Sequence, residues 1–173
     1  MKGENPNNIL FGRCVLLVDE TLIGLTRDGA SFKVEYNNRL ITADGDRGPV
    51  KGRIEREEAK ASIVVNHLEL LTKIEDLHSG VKRDETTEAG YTILSGTGKI
   101  DHDKDYHTVT IKGETKDGRE CELTIKNAIN LENIDWTFKD KDDVIDTVTY
   151  QATYDSEAED QYDENWTVKW KTA

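Results

Sequence analysis

The sequence predicts a mainly β protein, an antiparallel β-sandwich or barrel with one α-helix packed against it. Two observations indicate strands: apolar residues alternate with polar ones in many short segments, and turns containing Gly separate these segments. A third observation is that one segment has helical spacing, since Leu70, Ile74 and Leu77 recur at i, i+4 and i+7. Many strands and one helix favour a sheet that packs on itself, with the helix laid against it.

The length of the chain suits one domain. It has 173 residues, of which 13 Leu, 13 Ile, 11 Val and 3 Phe can build a core, and domains typically hold about 100–150 residues. Residues 1–8 contain Gly, Pro and three Asn, with little to bury. They are therefore predicted to be a mobile N-terminal arm, and the single domain is expected to span residues 9–173.

The strands follow one another along most of the chain. Residues 15–18 and 21–25 are expected to form a hairpin around Asp19 and Glu20, and Asp28-Gly29 supplies the next turn. The other predicted strands are 31–36, 39–42, 54–66, 91–94, 108–112, 119–125, 134–138, 144–154 and 166–170.

The segment 54–66 and the helix after it require a choice between two periods. Residues 54–60 are rich in helix formers, but the segment continues into β-branched Ile63, Val64 and Val65, which favours a strand. The helix that follows, of about ten residues, can be capped by Asn66 and closed by Gly80.

Two of these strands each have an apolar and a polar side. The residues predicted to face the core are Phe32, Val34, Tyr36, Ala59, Ala61, Ile63 and Val65. The residues predicted to face outward are Lys33, Glu35, Glu58, Lys60 and Ser62.

Residues 43–53 are predicted to be a loop, because they hold three Gly and Pro49 and only two apolar residues, Ala43 and Val50. Loops of this length are usually functional or disordered. This loop has little to bury and carries both signs of charge, so it is predicted to contact a neighbouring copy of the chain. Its charged residues are Asp44, Asp46, Arg47, Lys51 and Arg53.

The charge balance limits the partners of the protein. A formal net charge of -12, from 35 acidic and 23 basic residues, argues against a groove that grips a nucleic-acid backbone. Ten of the acids, against two bases, lie within residues 139–164. Aromatic residues interleave with this stretch, and aromatics are enriched at interfaces, so a C-terminal contact zone is predicted. Its residues are Tyr162, Trp166 and Trp170.

No set of residues predicts catalysis. Asp101, Asp103 and Asp105 have the opening spacing of a calcium loop, but the Gly required at its sixth position is absent. No third ligand accompanies the histidines, and no motif surrounds a nucleophile. Cys14 and Cys121 lack the spacing of a metal or redox motif and are interpreted as reduced packing residues. We therefore expect no enzyme, no metal and no cofactor.

The sequence also bears on location. No apolar stretch approaches the ~18 residues that cross a bilayer, and the first residues lack the apolar core of a signal peptide. The chain is therefore expected to be made and folded in a cytoplasm, with no membrane partner.

The order of the segments is itself informative. It runs through residues 12–19 and 22–24, the strand 31–36, the loop 43–53, the strand 54–66 with its helix, the Asp-Gly turn at 117–118, residues 126–128 and the segment 144–154. This layout resembles the tail tube (major tail) proteins of long-tailed bacteriophages, over nearly the whole chain from about residue 9. The resemblance is one of layout, without a diagnostic motif.

The resemblance implies a β-sandwich that assembles into hexameric rings, whose inner sheets join into a continuous barrel around a channel for the genome. Stacked rings would form the tail tube of a virion, assembled in the host cytoplasm. The implied partners are further copies of the chain, a tape measure protein, a tail terminator, a tail tip or baseplate, and a sheath if the tail contracts. The outward-facing residues named above would then line the channel, where a balanced or negative surface lets genomic DNA pass without specific binding.

Two other classes of function remain open. A monomeric β-sandwich module that binds carbohydrate or protein would share the strand count and the exposed aromatics, and it would stay monomeric at high concentration. A metal-assisted hydrolase would need the acids and histidines of residues 101–107 to converge.

Overall fold

The computed structural model describes residues 10–155, 157 and 165–172. The predicted N-terminal arm, residues 1–8, and Tyr162 lie outside the described residues. The strands are β1 (Leu10–Val18), β2 (Thr21–Leu22), β3 (Thr26–Leu40), β4 (Ile54–His67), β5 (Val81–Asp84), β6 (Ile93–Gly96), β7 (His107–Thr115), β8 (Glu120–Asn130), β9 (Asp146–Ala152) and β10 (Trp166–Trp170). One helix, α1, spans Ile74–Leu77.

The fold is mainly an antiparallel β-sheet, as the sequence predicts. Seven strands follow the order β2-β1-β7-β8-β9-β4-β3, and β10 joins the same sheet by pairing with β8. The strands β5 and β6 form a separate two-stranded sheet. β1 and β3 contact each other although four strands separate them in this order, which shows that the main sheet curls.

The core lies on the concave side of this sheet. It is built by buried residues from β1, β4, β7, β8 and β9, together with Ile23 and Leu77 of α1. The ring of Phe32 in β3 packs on Trp166 in β10, with 5.8 Å between the ring centroids. This contact packs β3 against β10, two strands that are not paired with each other. Ala61, Ile63 and Val65 of β4 are buried, as the alternation predicts.

The two turns predicted near the N-terminus have different structures. Asp19 and Glu20 both have positive φ, 47° and 66°, and connect β1 to β2 as a tight hairpin. Asp28 and Gly29 also have positive φ, but they lie inside β3, where the pairing register with β4 shifts between Arg27 and Ala30. The predicted turn at Asp28-Gly29 is therefore a bulge in one long strand.

The helix is much shorter than predicted. Asn66, the predicted cap, belongs to β4, and its side-chain oxygen accepts a hydrogen bond of 2.8 Å from Thr147 in β9. Leu70 and Leu77 are buried, whereas Leu71 is exposed. The helical spacing indicates which side chains are buried. Lys73, which precedes α1, makes no side-chain cap hydrogen bond. A single turn results, because tertiary burial rather than local capping holds it.

Other differences are local. The predicted strand 134–138 has no strand structure, while residues 81–84, which are not among the predicted strands, pair with β6. Tyr36 was expected in the core but is exposed, because β3 extends past the end of the core, and the guanidinium of Arg56 lies 3.7 Å from the centre of its ring. Cys14, expected to be a packing residue, is also exposed.

A buried polar cluster fixes α1 and the residues after it to the sheet. His78 Nε2 lies 2.5 Å from Asp146 Oδ2, and both side chains are buried. Asn130 in β8 donates to the carbonyl of Leu77 at 2.7 Å, and its Nδ2 lies 3.1 Å from His78 Nδ1. The hydroxyl of Tyr150 in β9 donates to the carbonyl of Asp76 at 3.0 Å.

Candidate assembly surface

The most unusual feature of the molecule is a long hairpin that projects beyond the core. We call residues 36–58 the hairpin arm. Every residue of it is exposed except Val50, which is half-buried. The strand β9 pairs with β4 only over Ser62–His67, so in the arm β4 pairs with β3 alone, as far as the described residues show. Both faces of the arm are therefore open to solvent.

Apolar side chains lie near the end of the arm. Leu40 and Ile54 are directly opposite each other in the β3–β4 register, and they are 48% and 52% exposed. Ile41, which follows Leu40, is also exposed, and its backbone N–H donates to the carbonyl of Arg53. Isolated surface leucines are common, but an apolar group on a two-stranded projection has no part of its own core to cover it. Such a group is typical of a contact with another chain.

The predicted loop, residues 43–53, closes this arm. Asp46 organises it: its carboxylate accepts hydrogen bonds from the backbone N–H of Ala43 at 2.7 Å and from the guanidinium of Arg53 at 2.9 Å. The predicted loop charges therefore divide into two groups. Asp46 and Arg53 hold the loop together, while Asp44, Arg47 and Lys51 make no ion pair among the described residues and remain exposed.

The five residues predicted to face outward do share one face. Lys33 is directly opposite Ser62, Glu35 is opposite Lys60, and Glu58 follows on the same side, two residues before Lys60. We call these five residues the polar face. It lies on the side of β3 and β4 opposite Phe32, Ala61 and Ile63, which pack in or against the core.

Ion pairs within each strand neutralise the polar face. Lys33 Nζ lies 2.6 Å from Glu35, and Lys60 Nζ lies 3.0 Å from Glu58. The hydrogen bond and the positive charge of Lys33 lower the pKa of Glu35 below its ordinary value. Two lysines and two glutamates balance, so the polar face has no formal net charge near neutral pH.

The two described residues of the predicted C-terminal contact zone have different surroundings. Trp166 is half-buried and its ring packs on Phe32. Trp170 is 59% exposed and is directly opposite Cys121 in β8. Cys121 and Cys14 are both paired with Gly113 of β7, from opposite sides. Trp170 is thus the last of four paired residues, after Cys14, Gly113 and Cys121. It is the described aromatic of this zone that a partner could reach.

The acids and histidines of residues 101–107 have separate surroundings, and residues 101–103 are exposed. Asp105 accepts hydrogen bonds from the backbone N–H groups of Gly80 and Asp101, at 3.0 and 2.7 Å. His102 stacks on Tyr106. His107 points elsewhere, since its Nδ1 lies 2.6 Å from Asp19 at the β1–β2 turn. Among the described residues, no group of three His, Cys, Asp or Glu side chains could hold a metal ion.

In the described part of the chain, no helix is long and apolar enough to cross a membrane.

Sequence reasoning missed the length of the hairpin arm and the exposure of its apolar residues. It divided β3 into two strands, 31–36 and 39–42, and assigned Tyr36 to the core. A signal was available, because residues 37–39 are Asn, Asn and Arg and residues 55–58 are Glu, Arg, Glu and Glu. Opposing strand segments without an apolar face cannot cover a core, so this composition is typical of strands that leave it.

Comparisons with known proteins include a likeness of fold to a solved structure. No protein-family model matches the chain, and no curated protein matches it. Among solved structures, the chain is similar to the cap of the anti-feeding prophage, described as its tube terminating cap and determined by cryo-electron microscopy. The TM-score is 0.49 and the sequence identity is 10%, over 98% of this chain and 94% of that chain.

Proposed function

We propose that this chain is a self-assembling structural protein of a phage tail, which forms rings of six copies that stack into a tail tube. The observation that carries the proposal is the hairpin arm, with its opposed apolar pair Leu40 and Ile54. A two-stranded ribbon is marginally stable in water unless something packs on it. A second copy of the chain supplies that packing, and a head-to-tail contact that is repeated with a closing rotation generates a ring.

The polar face supports the second part of the proposal, that β3 and β4 line the channel. A channel for DNA must neither bind the polyanion nor present exposed apolar surface to it. The polar face has paired lysines and glutamates with no net charge, and its lysines are already engaged by carboxylates. The chain as a whole carries -12, which disfavours adhesion of DNA to the rest of the surface.

The remaining partners follow from this function. A tape measure protein would lie inside the growing tube, a terminator would close one end, and a tail tip or baseplate would start the other. A sheath would surround the tube if the tail contracts. The protein would act in the virion tail after assembly in the host cytoplasm, and Trp170 of the C-terminal contact zone would lie at a contact between copies.

Sedimentation velocity of the purified full-length chain tests this proposal. Between about 1 µM and about 1 mM, the proposal expects a concentration-dependent shift from monomer to a species of six copies and to longer stacks, because assembly follows mass action. A species that stops at one ring would indicate a terminating role rather than a tube. A single monomeric species across the whole range would overturn the proposal and favour a monomeric binding module.

A further inference from the structure

The buried polar cluster contains a histidine that no hydrogen bond explains. His67, the last residue of β4, is fully buried, and neither of its ring nitrogens has a hydrogen-bond partner among the described residues. A buried polar group without a partner is costly. Burial lowers the pKa of His67 to about 4, with a further contribution from the charge that His78 can carry, while Asp146 acts in the opposite direction.

The neighbours of His67 make its protonation consequential. His67 and Asp146 are directly opposite each other in the β4–β9 register, so their side chains project from the same side of the sheet. Asp146 is the carboxylate opposite His67, and its Oδ2 already contacts His78 Nε2. The charged groups that act on His67 are Asp146 on β9 and His78 after α1. Tyr150 on β9, whose pKa is raised by its burial, is influenced by Asp146 and also by Asp76 and Asp19.

The contact between His78 and Asp146 attaches residues 74–80, the segment that contains His78, to the sheet. Three further hydrogen bonds attach the same segment to the sheet, from Tyr150 to the carbonyl of Asp76, from Asn130 to the carbonyl of Leu77, and from Ser79 to the carbonyl of Asn130. The segment 74–80 is thus attached to the sheet by the buried cluster at the ends of β8 and β9, while its last residue, Gly80, is also bonded to Asp105 and Thr97. We call this segment the latch.

We infer that His67, His78 and Asp146 form an acid-sensitive device that releases the latch from the sheet when His67 is protonated. A charged His67 needs an anionic partner, and Asp146 is the one within the cluster. The charged ring of His67 then competes with His78 for one carboxylate in a buried site. The conflict is relieved when the latch opens, because opening exposes both histidines to water and leaves the paired strands of the sheet in place.

The direction of the pH effect follows from linkage. A His67 exposed by opening has an ordinary pKa near 6.5, so the open state binds more protons than the closed state between about pH 6.5 and about pH 4. Acidification through this range therefore favours opening. The opening equilibrium can rise by up to about tenfold for each pH unit in that range, from one proton.

Hydrogen exchange followed by mass spectrometry tests this inference on the full-length protein at pH 7, about 5.5 and about 4.5, with each rate normalised to its intrinsic value. We expect the amides of residues 76–80 to lose protection by about tenfold or more as the pH falls, while β7 and β8 keep theirs. In His67→Phe, which cannot be charged, the latch should stay protected at low pH. His67→Gln serves if the aromatic variant does not fold.

His102→Gln is the matched control, since His102 is exposed and outside the cluster, and it should behave as the unmodified protein does. The inference is overturned if the latch keeps its protection at about pH 4.5, or if it loses protection together with β7 and β8, which would indicate global acid unfolding. It is also overturned if a folded His67 variant shows the same pH dependence as the unmodified protein. The experiment does not depend on assembly, so its outcome is separate from that of the proposed function.

Discussion

Leu40 and Ile54 lie directly opposite each other across the hairpin arm, and neither packs against the core. Their pairing brings two apolar side chains together at a point where, among the described residues, no further layer covers them. In the proposed ring, a neighbouring copy covers this pair. The arm is thus part of the fold of the single chain and also the contact site of the proposed assembly.

Replacing both residues of this pair, Leu40→Glu with Ile54→Glu, should abolish assembly while the subunit stays folded. Substitutions at exposed positions usually change the free energy of unfolding by about 0.5 kcal/mol or less. The oligomer should be lost because the carboxylates would be buried without partners at the contact. Sedimentation velocity and thermal unfolding measure the two effects. Leu71→Glu, an exposed leucine outside the arm, should assemble normally, and equal loss of assembly in both variants would count against the arm.

The loop at the end of the arm gives a second prediction. Replacement of residues 43–53 by a short Gly-Ser linker should leave a monomer with near-native circular dichroism and melting, since the loop contributes no residue to the core cluster. Tubes should not form. Assembly of the unmodified chain should also weaken with rising ionic strength, because charged rims are screened by salt. Normal tubes from the shortened variant would show that the loop is not a contact.

The polar face can be located in the assembly by its reactivity. In a Cys14→Ser, Cys121→Ser background, Lys60→Cys should react with N-ethylmaleimide in both monomers and tubes. A large polyethylene-glycol maleimide should modify the monomer readily and the tube slowly, because the channel restricts its entry. Glu88→Cys, at an exposed position outside the arm, the polar face and the C-terminal contact zone, provides a comparison site that should react at the same rate in monomers and tubes. If the large reagent labels Lys60→Cys equally fast in tubes, the polar face is on the exterior.

The buried His67 predicts how stability depends on pH. Its pKa is about 4 in the folded protein and near 6.5 when unfolded, so the unfolded state binds more protons between these values. The free energy of unfolding should therefore rise with pH through this range, by up to about 3 kcal/mol in total. Urea unfolding at several pH values measures it. His67→Phe should flatten the curve between about pH 4 and pH 6.5, and an unchanged slope would assign the effect to other groups.

The predictable part of the structure is the part that local chemistry determines. The mainly antiparallel β fold follows from alternation along the strands, and the buried side of β4 follows from Ala61, Ile63 and Val65. The turn at Asp19-Glu20 follows from two polar residues between two apolar strand segments. Asp28-Gly29 readily adopts positive φ, yet it forms a bulge, because the pairing with β4 decides whether the chain reverses.

The unpredicted parts depend on contacts between distant segments. The spacing of Leu70, Ile74 and Leu77 correctly predicts that all three are buried. The single helical turn is held by hydrogen bonds from Asn130 and Tyr150, which belong to strands far along the chain. The cluster of His67, His78 and Asp146 has no sequence motif, since it forms where two strand ends and the latch meet. The placement of the polar face was predictable from alternation, whereas its role in a channel remains a prediction.

The central claim, that the chain builds rings of six around a channel, is tested most directly by negative-stain electron microscopy of the purified full-length protein at high concentration. We expect end-on views of rings with six-fold symmetry and a stain-filled centre, and side views of stacked rings. Fields that contain only small monomeric particles, at concentrations where sedimentation also detects monomer alone, would contradict the account.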